Sequence, residues 1–389
     1  MGDKFNGYRR IDGSVGVRNH IAVIPSVFCS AKVAERIAYQ VPGSVYFRHP
    51  VGCSQVGEDL EVTAKTLIQI GKNPNFAGVV VVGLGCERFS PYELADGIST
   101  SKKMLETVVI QKEGDSLAAI QQGVKYAREM QRIASRQQRE EADVSELMIG
   151  LNCGGSDMTS GLIANPALGI ASDMIVGQGG SSILSEITEL IGTEHILSRR
   201  AINEQVAKEI EEILRLTEQK LERQTRESSN VKRTHLISTG NYDGGLSSVV
   251  EKSLGSMKKS GNALFSGTIK YGDRPTTKGL LLLDSPGHDG EVTTGQVAAG
   301  AQIVVFPTGR GTPTGFPGVP VIKVTGNPRT YETMKENIDI NAGEVLLGRK
   351  TMQQMGEEIY QEILRVASGE LAKAEILGHD EQFCVTRLP

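Results

Sequence analysis

The chain has 389 residues, too many for one ordinary hydrophobic core, and its 39% hydrophobic and 23% charged residues are typical of a soluble globular protein. A net charge of −4 provides no broad basic surface, which argues against nucleic acid as the main partner. The polar N-terminus has no secretory signal, and no apolar run reaches the roughly 20 residues of a membrane-spanning helix. Five cysteines, an odd number, do not indicate a disulfide framework, so we expect a cytoplasmic protein with reduced thiols.

Strands and helices alternate through the first part of the chain. The predicted strands are 21–27, 44–47, 79–84, 107–110 and 146–151, and the predicted helices are 31–40, 59–72, 92–105, 116–140 and 165–172. The run at 79–84 carries no charge, as buried parallel strands do. This alternation predicts βαβ units on a mostly parallel sheet.

The second part of the chain has a different composition. Helical spacing continues over 181–226 with a break near Gly192, and the polar segment 225–233 is a predicted domain boundary. Beyond it, short apolar runs at 279–283, 302–306 and 319–324 alternate with glycine-rich loops, followed by a helical tail (344–374) and a strand (383–388). We therefore predict an α/β fold of two α/β domains joined by long helices: a substrate-contacting segment (1–20), a first domain (21–228) and a second, glycine-rich domain (229–389).

Three cysteines, Cys53, Cys86 and Cys153, lie in short glycine-flanked turns, and the last two directly follow strand-like runs. In wound α/β sheets the carboxyl ends of the strands are where ligands bind. Thiolates are soft ligands for iron, zinc or an iron–sulfur cluster. Because the chain has no CxxC pair, such a site would form only by folding.

Two iron sites satisfy this chemistry. One is a cluster held by the three cysteines with one open iron, and the other is a single Fe²⁺ held by His49, Glu87 and a thiolate. The alternative is that these thiols simply fit small turn positions. Cys29 and Cys384 lie in apolar surroundings, and we expect no ligand role for them.

The N-terminal segment has the residues of a carboxylate site. Arg10, Asp12, Arg18 and Asn19 come between glycine turns just before the first predicted strand. The planar guanidinium fork matches a carboxylate with two hydrogen bonds. The alternative is a solvent-exposed segment ahead of the first strand that is held by an arginine–aspartate pair.

Polar loops follow several strands of the second half. They carry hydroxyls, amides and single cations, as an oxyanion or polyol site would: Asn241, Ser285, Thr308, Arg310, Lys323 and Asn327. No phosphate-binding loop or dinucleotide fingerprint is present. His195 and His235 have no partner that the sequence reveals, and we expect no role for them.

Taken together, these motifs resemble the catalytic part of the altronate/galactarate dehydratase family. The matching segments span nearly the whole chain: 10–13, 16–19, 49–53, 85–87, 152–157, 244–245, 251–255, 298–302, 308–312 and 321–327. The resemblance implies an iron-dependent lyase that dehydrates a sugar acid such as altronate or galactarate to a 2-keto-3-deoxy acid.

The sequence departs from the single-chain members of the family in two places. Its first motif begins almost at Met1, so the resemblance implies a separate small subunit beside a homo-oligomer of large subunits. The loop 287–291 differs as well, and some two-subunit members eliminate sulfite from (2R)-sulfolactate to give pyruvate. The leaving group therefore stays open, and a non-catalytic sugar-acid-binding protein is the third possibility.

Elimination next to a carboxylate requires cations, a base and help for the leaving group. We expect Arg10 and Arg18 to bind the substrate carboxylate and Arg310 to clamp its distal end. His49 is the first candidate for base or metal ligand because imidazole titrates near neutral pH, and Lys252 is the second.

Overall fold

A computed structural model describes residues 2–227 and 237–386 of the chain. Within them the strands are β1 (Lys4–Arg9), β2 (Val15–Gly16), β3 (His20–Pro25), β4 (Ser44–Tyr46), β5 (Phe76–Gly83), β6 (Met104–Val109), β7 (Glu140–Asp143), β8 (Met148–Leu151), β9 (Ser181–Leu184), β10 (Phe265–Ile269), β11 (Leu280–Leu283), β12 (Ile303–Pro307), β13 (Val321–Thr325) and β14 (Ile340–Asn341).

The helices connect these strands. They are α1 (Ala31–Tyr39), α2 (Gly57–Lys72), α3 (Pro91–Ser99), α4 (Ile110–Glu113), α5 (Ser116–Ala134), α6 (Asn165–Gly177), α7 (Glu194–Leu197), α8 (Glu204–Glu227), α9 (Thr239–Asp243), α10 (Val249–Ser256), α11 (Asp289–Ala299), α12 (Pro328–Thr333), α13 (Gly343–Leu346), α14 (Met352–Ala367) and α15 (Lys373–Ile376). A π-helical turn, Ser160–Ala164, precedes α6.

The first α/β unit is a four-stranded sheet in the order β4-β3-β5-β6, parallel at every pairing. All eight residues of β5 are buried, since its uncharged valine run lies between helices on both faces. The predicted parallel α/β class is confirmed.

The larger sheet has seven strands in the order β10-β11-β9-β8-β12-β13-β14, again all parallel. It combines β8 and β9 with strands that follow residue 264. Strands from both sides of residue 228, the predicted boundary between two domains, therefore belong to one sheet. That boundary, the segment 228–233 and His235 lie outside the described residues.

The N-terminal segment is itself a strand ribbon. Strand β1 pairs antiparallel with β2 and with β7, and Phe5 and Val15 enter the core beneath the larger sheet. The sequence analysis had assigned no strand to residues 1–20.

Helices α2 and α11 join the two sheets. The amide of Asn73, at the end of α2, donates to the carbonyls of Val297 (3.0 Å) and Ala301 (2.9 Å) at the end of α11. The two helices pack against one another with their C-terminal ends together, so they run in the same direction. Because a crossover helix starts near the carboxyl edge of its sheet, both carboxyl edges face the same side of the molecule.

Four predicted elements differ from the structure. The 116–140 helix ends at Ala134, and Glu140 already belongs to β7. The 92–105 helix ends at Ser99, after which the chain enters β6. Residues 181–184, the start of the predicted 181–226 helix, form strand β9 instead. These four buried residues follow Gly179 and Gly180 and pair with β8 and β11. Residues 383–386 form no strand, and 387–388 lie outside the described part of the chain. Among the described helices, none combines the length and apolar character needed to cross a bilayer.

Candidate active site

A thiol and two carboxyl groups meet at the carboxyl edge of the seven-stranded sheet. Cys153 follows β8, whereas Glu186 and Glu189 follow the neighbouring strand β9. One ligand atom from each lies within 4.8 Å of the other two, and the thiol is 2.9 Å from Glu189 Oε2 and 3.5 Å from Glu186 Oε1. We call these three residues the thiol–carboxylate cluster.

Two lysines neutralise the cluster. Lys259 Nζ lies 2.5 Å from Glu186 Oε2, and both side chains are fully shielded from solvent (0% and 1% exposed). Lys252 Nζ lies 2.7 Å from Glu189 Oε1 at the more open side, with 13% of each side chain exposed. Each carboxylate therefore has its own ammonium group, which reduces the cost of burying it.

The local charges shift the pKa values of these groups. Burial raises the pKa of Glu186 to about 8, although Lys259 opposes the shift. Burial would also raise the pKa of Glu189, but Lys252 and Lys259 hold it below its ordinary value. Burial and the two carboxylates raise the pKa of the Cys153 thiol, so the free thiol is protonated at neutral pH. A bound metal ion would deprotonate it.

Glu186 has an unusual backbone conformation. Its φ of +65° lies in the left-handed region, which a residue with a side chain seldom adopts. The hydroxyl of Ser285 accepts a hydrogen bond from Glu186 N (2.9 Å), and the Ser285 carbonyl accepts one from Ile187 N (3.3 Å). Such strain persists where the surrounding structure fixes it, and it is concentrated at functional sites.

The donor chemistry of the cluster fits a metal ion. A thiolate and two carboxylates are donors that transition metals accept, and strands and a short turn fix their positions. The ion would be held by Cys153, Glu186 and Glu189. Its binding would replace the two lysine–carboxylate ion pairs.

A cavity of about 290 Å³ lies beside the cluster. Lys252 and Ser256 line it, and the Ser256 hydroxyl donates to Glu189 Oε2 (3.3 Å). The π-helical turn forms another wall, where Gly161 approaches Gly255 so closely that a Cβ on Gly255 would lie 2.9 Å from the Gly161 Cα. The two glycines therefore allow the π-helical turn and α10 to pack closely at the cavity wall.

Of the polar residues predicted from the sequence, Lys252 lines this cavity, and two others are linked to it through neighbouring contacts. Lys252 Nζ donates to Asn241 Oδ1 (3.0 Å), and the Asn241 amide donates to the Ser156 carbonyl (2.8 Å). Arg310 is exposed nearby and contacts the Gly240 carbonyl (3.4 Å). The structure thus brings Lys252, Asn241 and Arg310 near Cys153.

Asn327 and Thr308 stabilise the adjoining loops. The Asn327 amide donates to Asp157 Oδ2 (3.0 Å) in the turn after Cys153. Thr308 is buried, and its hydroxyl accepts from Gly311 N (2.9 Å).

Lys323 lies within β13, where its ammonium donates to the carbonyls of Pro313 (3.2 Å) and Thr314 (3.1 Å). Burial lowers its pKa to about 8. Its charge is therefore directed at backbone carbonyls rather than at the thiol–carboxylate cluster.

Cys53 and Cys86 lie elsewhere, at the carboxyl edge of the four-stranded sheet, and both are exposed. In the described part of the chain, neither thiol belongs to a group of three ligand atoms that all lie within 4.8 Å of one another; the group of that kind is Cys153, Glu186 and Glu189. A single ion shared by Cys53, Cys86 and Cys153 therefore does not agree with this arrangement.

His49 and Glu87 support the loops around those two thiols. His49 Nε2 donates to the Pro25 carbonyl (2.7 Å), its Nδ1 accepts from Val51 N (3.4 Å), and burial lowers the pKa of the ring to about 4. Both ring nitrogens are thus occupied by backbone groups, which argues against the predicted role as base or ligand. Burial would raise the pKa of Glu87, but hydrogen bonds from Ser26 and two backbone N–H groups hold it below its ordinary value.

The N-terminal arginines lie at the opposite, amino end of the four-stranded sheet. Arg10 is buried and donates to Asn19, Gln137 and the carbonyls of Pro74 and Arg18, and burial lowers its pKa to about 10. Arg18 makes a two-pronged ion pair with Glu375 (2.7 Å for both bonds).

Asp12 is exposed and accepts from Ser14, and the Asn19 amide donates to the Ala134 carbonyl. This placement argues against the predicted carboxylate binding by Arg10 and Arg18, because fold contacts use their donors.

Sequence reasoning missed Glu186, Glu189 and Lys259. Both glutamates lie within the predicted 181–226 helix, where acidic residues are expected on the solvent-exposed face of the helix. The available signal was the Gly179-Gly180 pair before a short apolar run, which is typical of a turn into a strand.

A buried thiol–carboxylate cluster at the carboxyl edge of a parallel sheet, next to a lysine-lined cavity, is the type of site found in metal-dependent α/β enzymes. Comparison with known proteins identifies the family. Residues 7–135 match the family described as "D-galactarate dehydratase/Altronate hydrolase, second domain", and residues 144–389 match "D-galactarate/Altronate dehydratase, C-terminal".

Similar curated proteins are named as lyases. The chain is 38% identical over 389 residues to "(2R)-sulfolactate sulfo-lyase subunit beta" of Chromohalobacter salexigens, covering 100% of this chain and 98% of that protein. It is 37% identical to "Altronate dehydratase" of Bacillus subtilis (95% of this chain, 75% of that one) and 36% identical to "Galactarate dehydratase (L-threo-forming)" of Escherichia coli (95% and 73%).

The chain therefore belongs to the D-galactarate/altronate dehydratase family, as the sequence motifs indicated, and it is a lyase.

Proposed function

We propose that this chain is the large, catalytic subunit of an iron-dependent lyase that dehydrates a sugar acid of the altronate or galactarate type to a 2-keto-3-deoxy acid. The observation that carries the proposal is the thiol–carboxylate cluster beside the cavity, with Lys252 in contact with both. Relatives named as dehydratases match 95% of the chain, which supports the reaction class.

Lys252 is the proposed acid for the leaving hydroxyl. Burial lowers the pKa of its ammonium, but the Glu189 carboxylate outweighs that effect and raises it, so Lys252 carries a proton at neutral pH. Asn241 orients the ammonium at the cavity wall. Protonation of the β-hydroxyl would let it depart as water while the C–O bond breaks.

Asp289 lies beside the turn that follows Cys153, since a Cβ on Gly154 would be 3.0 Å from Asp289 Oδ2. It is the proposed base for the proton next to the substrate carboxylate. Burial and the charge of Glu189 raise its pKa to about 6, so it is mostly ionised at pH 7 and can accept a proton. Removal of that proton and loss of the hydroxyl give an enol, which tautomerises to the 2-oxo acid. Arg310, exposed beside the Asn241 loop, is the proposed clamp on the distal end of the substrate.

Iron bound by Cys153, Glu186 and Glu189 would supply a Lewis acid that polarises the substrate hydroxyl. We further propose a cytoplasmic enzyme that assembles as a homo-oligomer and works with a separate small subunit. A relative named as subunit beta, matched over 98% of its length, supports the subunit arrangement.

The test is turnover of altronate and galactarate by the purified chain, with and without its small partner, after anaerobic loading with Fe²⁺. Formation of the 2-keto-3-deoxy acid is expected, and Lys252→Met should reduce kcat by at least about 100-fold, as loss of an acid–base group does. The matched control is Lys208→Met, which removes an exposed lysine of α8. Equal activity of Lys252→Met and the native chain would refute the assignment.

A second candidate reaction is elimination of sulfite from (2R)-sulfolactate to give pyruvate. It is favoured by the 38% identity over the full chain to a protein named as a subunit of that enzyme. The same base and cations would serve, with sulfite leaving in place of water. Release of sulfite and pyruvate from sulfolactate, without turnover of either sugar acid, would select this reaction.

A further inference from the structure

Three exposed thiols lie at the carboxyl end of the four-stranded sheet, whereas the thiol–carboxylate cluster belongs to the seven-stranded sheet. Cys29 follows β3, Cys53 follows β4 and Cys86 follows β5, and these strands are neighbours in the order β4-β3-β5. All three thiols are free and exposed. Because the strands are parallel, their carboxyl ends bring the three turns to the same edge.

Contacts between the turns bring them closer than the strand order alone requires. Phe28 N donates to the Val51 carbonyl (2.9 Å), which joins the Cys29 turn to the Cys53 turn. Gly52 (φ +97°) packs so tightly on the same segment that a Cβ there would lie 2.5 Å from the Ser26 carbonyl oxygen and 2.8 Å from the Val27 Cα.

The third turn meets the same segment. Ser26 Oγ donates to Glu87 Oε1 (2.6 Å), and the other oxygen of Glu87 accepts from Gly85 N (2.6 Å), with Cys86 between these two residues. Residues 26–28 are therefore the common support of all three cysteine turns.

We propose that Cys29, Cys53 and Cys86 hold an iron–sulfur cluster of their own, with one iron left open, at the carboxyl edge of the four-stranded sheet. Thiolates are the usual protein ligands of such clusters. In a four-iron cluster each cysteine binds a different iron, so the thiolates stand further apart than the donors of a single ion. Among the described residues, Cys29, Cys53 and Cys86 do not form a group whose ligand atoms all lie within 4.8 Å of one another. That spacing excludes a single shared ion but is compatible with a cluster.

The electrostatics of this edge favour an anionic cluster. Helix α1 begins two residues after Cys29, α2 four residues after Cys53 and α3 five residues after Cys86. Each helix N-terminus directs a partial positive charge and free backbone N–H groups towards this edge. Cys29, for which the sequence analysis expected no ligand role, completes the set.

The proposed cluster does not depend on the reaction assigned above, and its test requires no substrate. The full chain is reconstituted anaerobically with ferrous iron and sulfide, and bound iron, acid-labile sulfide and visible absorption are measured. Single substitutions Cys29→Ala, Cys53→Ala and Cys86→Ala are each expected to abolish bound sulfide and the visible band. Cys384→Ala and Cys153→Ala are the matched controls and should keep both.

A second measurement follows each thiol separately. Cluster loading should protect Cys29, Cys53 and Cys86 from alkylation, as read by mass spectrometry, while Cys384 stays equally reactive. Unchanged circular dichroism of the variants would show that they are folded. Reconstituted protein without bound sulfide would overturn the proposal, and so would loss of the visible band in Cys153→Ala together with its retention in Cys29→Ala.

Discussion

The ion pair between Lys259 and Glu186 permits a quantitative test of the site. Both side chains are buried and their charged atoms lie 2.5 Å apart. Lys259→Met keeps an unbranched apolar side chain but removes the ammonium, leaving Glu186 buried near Glu189 without its own counter-charge. Breaking a buried pair in this way costs about 3–5 kcal/mol of unfolding free energy.

The cost should depend on pH. Burial already raises the pKa of Glu186 to about 8, and removal of Lys259 raises it further above the value of about 4.3 in an unfolded chain. The folded variant then binds more protons than the unfolded chain between those values, so its stability falls as the pH rises through that window. The loss is expected to be larger at pH 8.5 than at pH 5.5.

Urea unfolding followed by circular dichroism at both pH values measures the effect. Lys208→Met, which removes an exposed partner of Glu204, is the control and should cost less than about 1 kcal/mol. Adding Glu186→Gln to Lys259→Met should recover part of the loss by removing the unpaired charge. A Lys259→Met variant as stable as the native chain at pH 8.5 would refute the reasoning.

Further predictions concern the metal donors, the N-terminal motif and a strained turn. Glu189→Gln should weaken Fe²⁺ binding by at least about 10-fold in anaerobic titrations, whereas Glu212→Gln on exposed α8 should not change it. Arg18→Met should lower the unfolding free energy by about 3–5 kcal/mol through loss of the Glu375 pair, while KM of the folded fraction stays unchanged; a raised KM would instead indicate substrate binding. Gly52→Ala should destabilise the chain more than Gly13→Ala in thermal unfolding, because both have positive φ (+97° and +89°) but only Gly52 would place its Cβ against backbone.

The sequence predicted the α/β class and part of the site for clear physical reasons. Strand-length apolar runs followed by glycine-flanked turns place a residue at a sheet edge, and this logic located Cys153 correctly at the end of β8. Lys252, the second candidate for the base, lies at the cavity wall, but its pKa is raised rather than lowered, which suits a proton donor.

Other parts of the site could not be predicted, because they depend on long-range packing. Glu186 meets Cys153 only after β9 pairs with β8, and the four-residue run of β9 can be read as helix or strand. Chain order, in contrast, does indicate which end of a strand a motif reaches, and it separates the predicted arginines from the thiols. Arg10 and Arg18 precede β3, so they lie at its amino end, whereas the thiols after β3, β4 and β5 lie at the other.

The pairing of two carboxylates with two lysines has a consequence for how the enzyme matures. Because each acidic side chain of the cluster already has an internal cation, the polypeptide can reach its native shape before any transition metal arrives. Loading would then be an exchange in which an incoming ion displaces ammonium groups and a thiol proton. Folding and metal loading would then be separate steps, and the folded chain would wait for its ion.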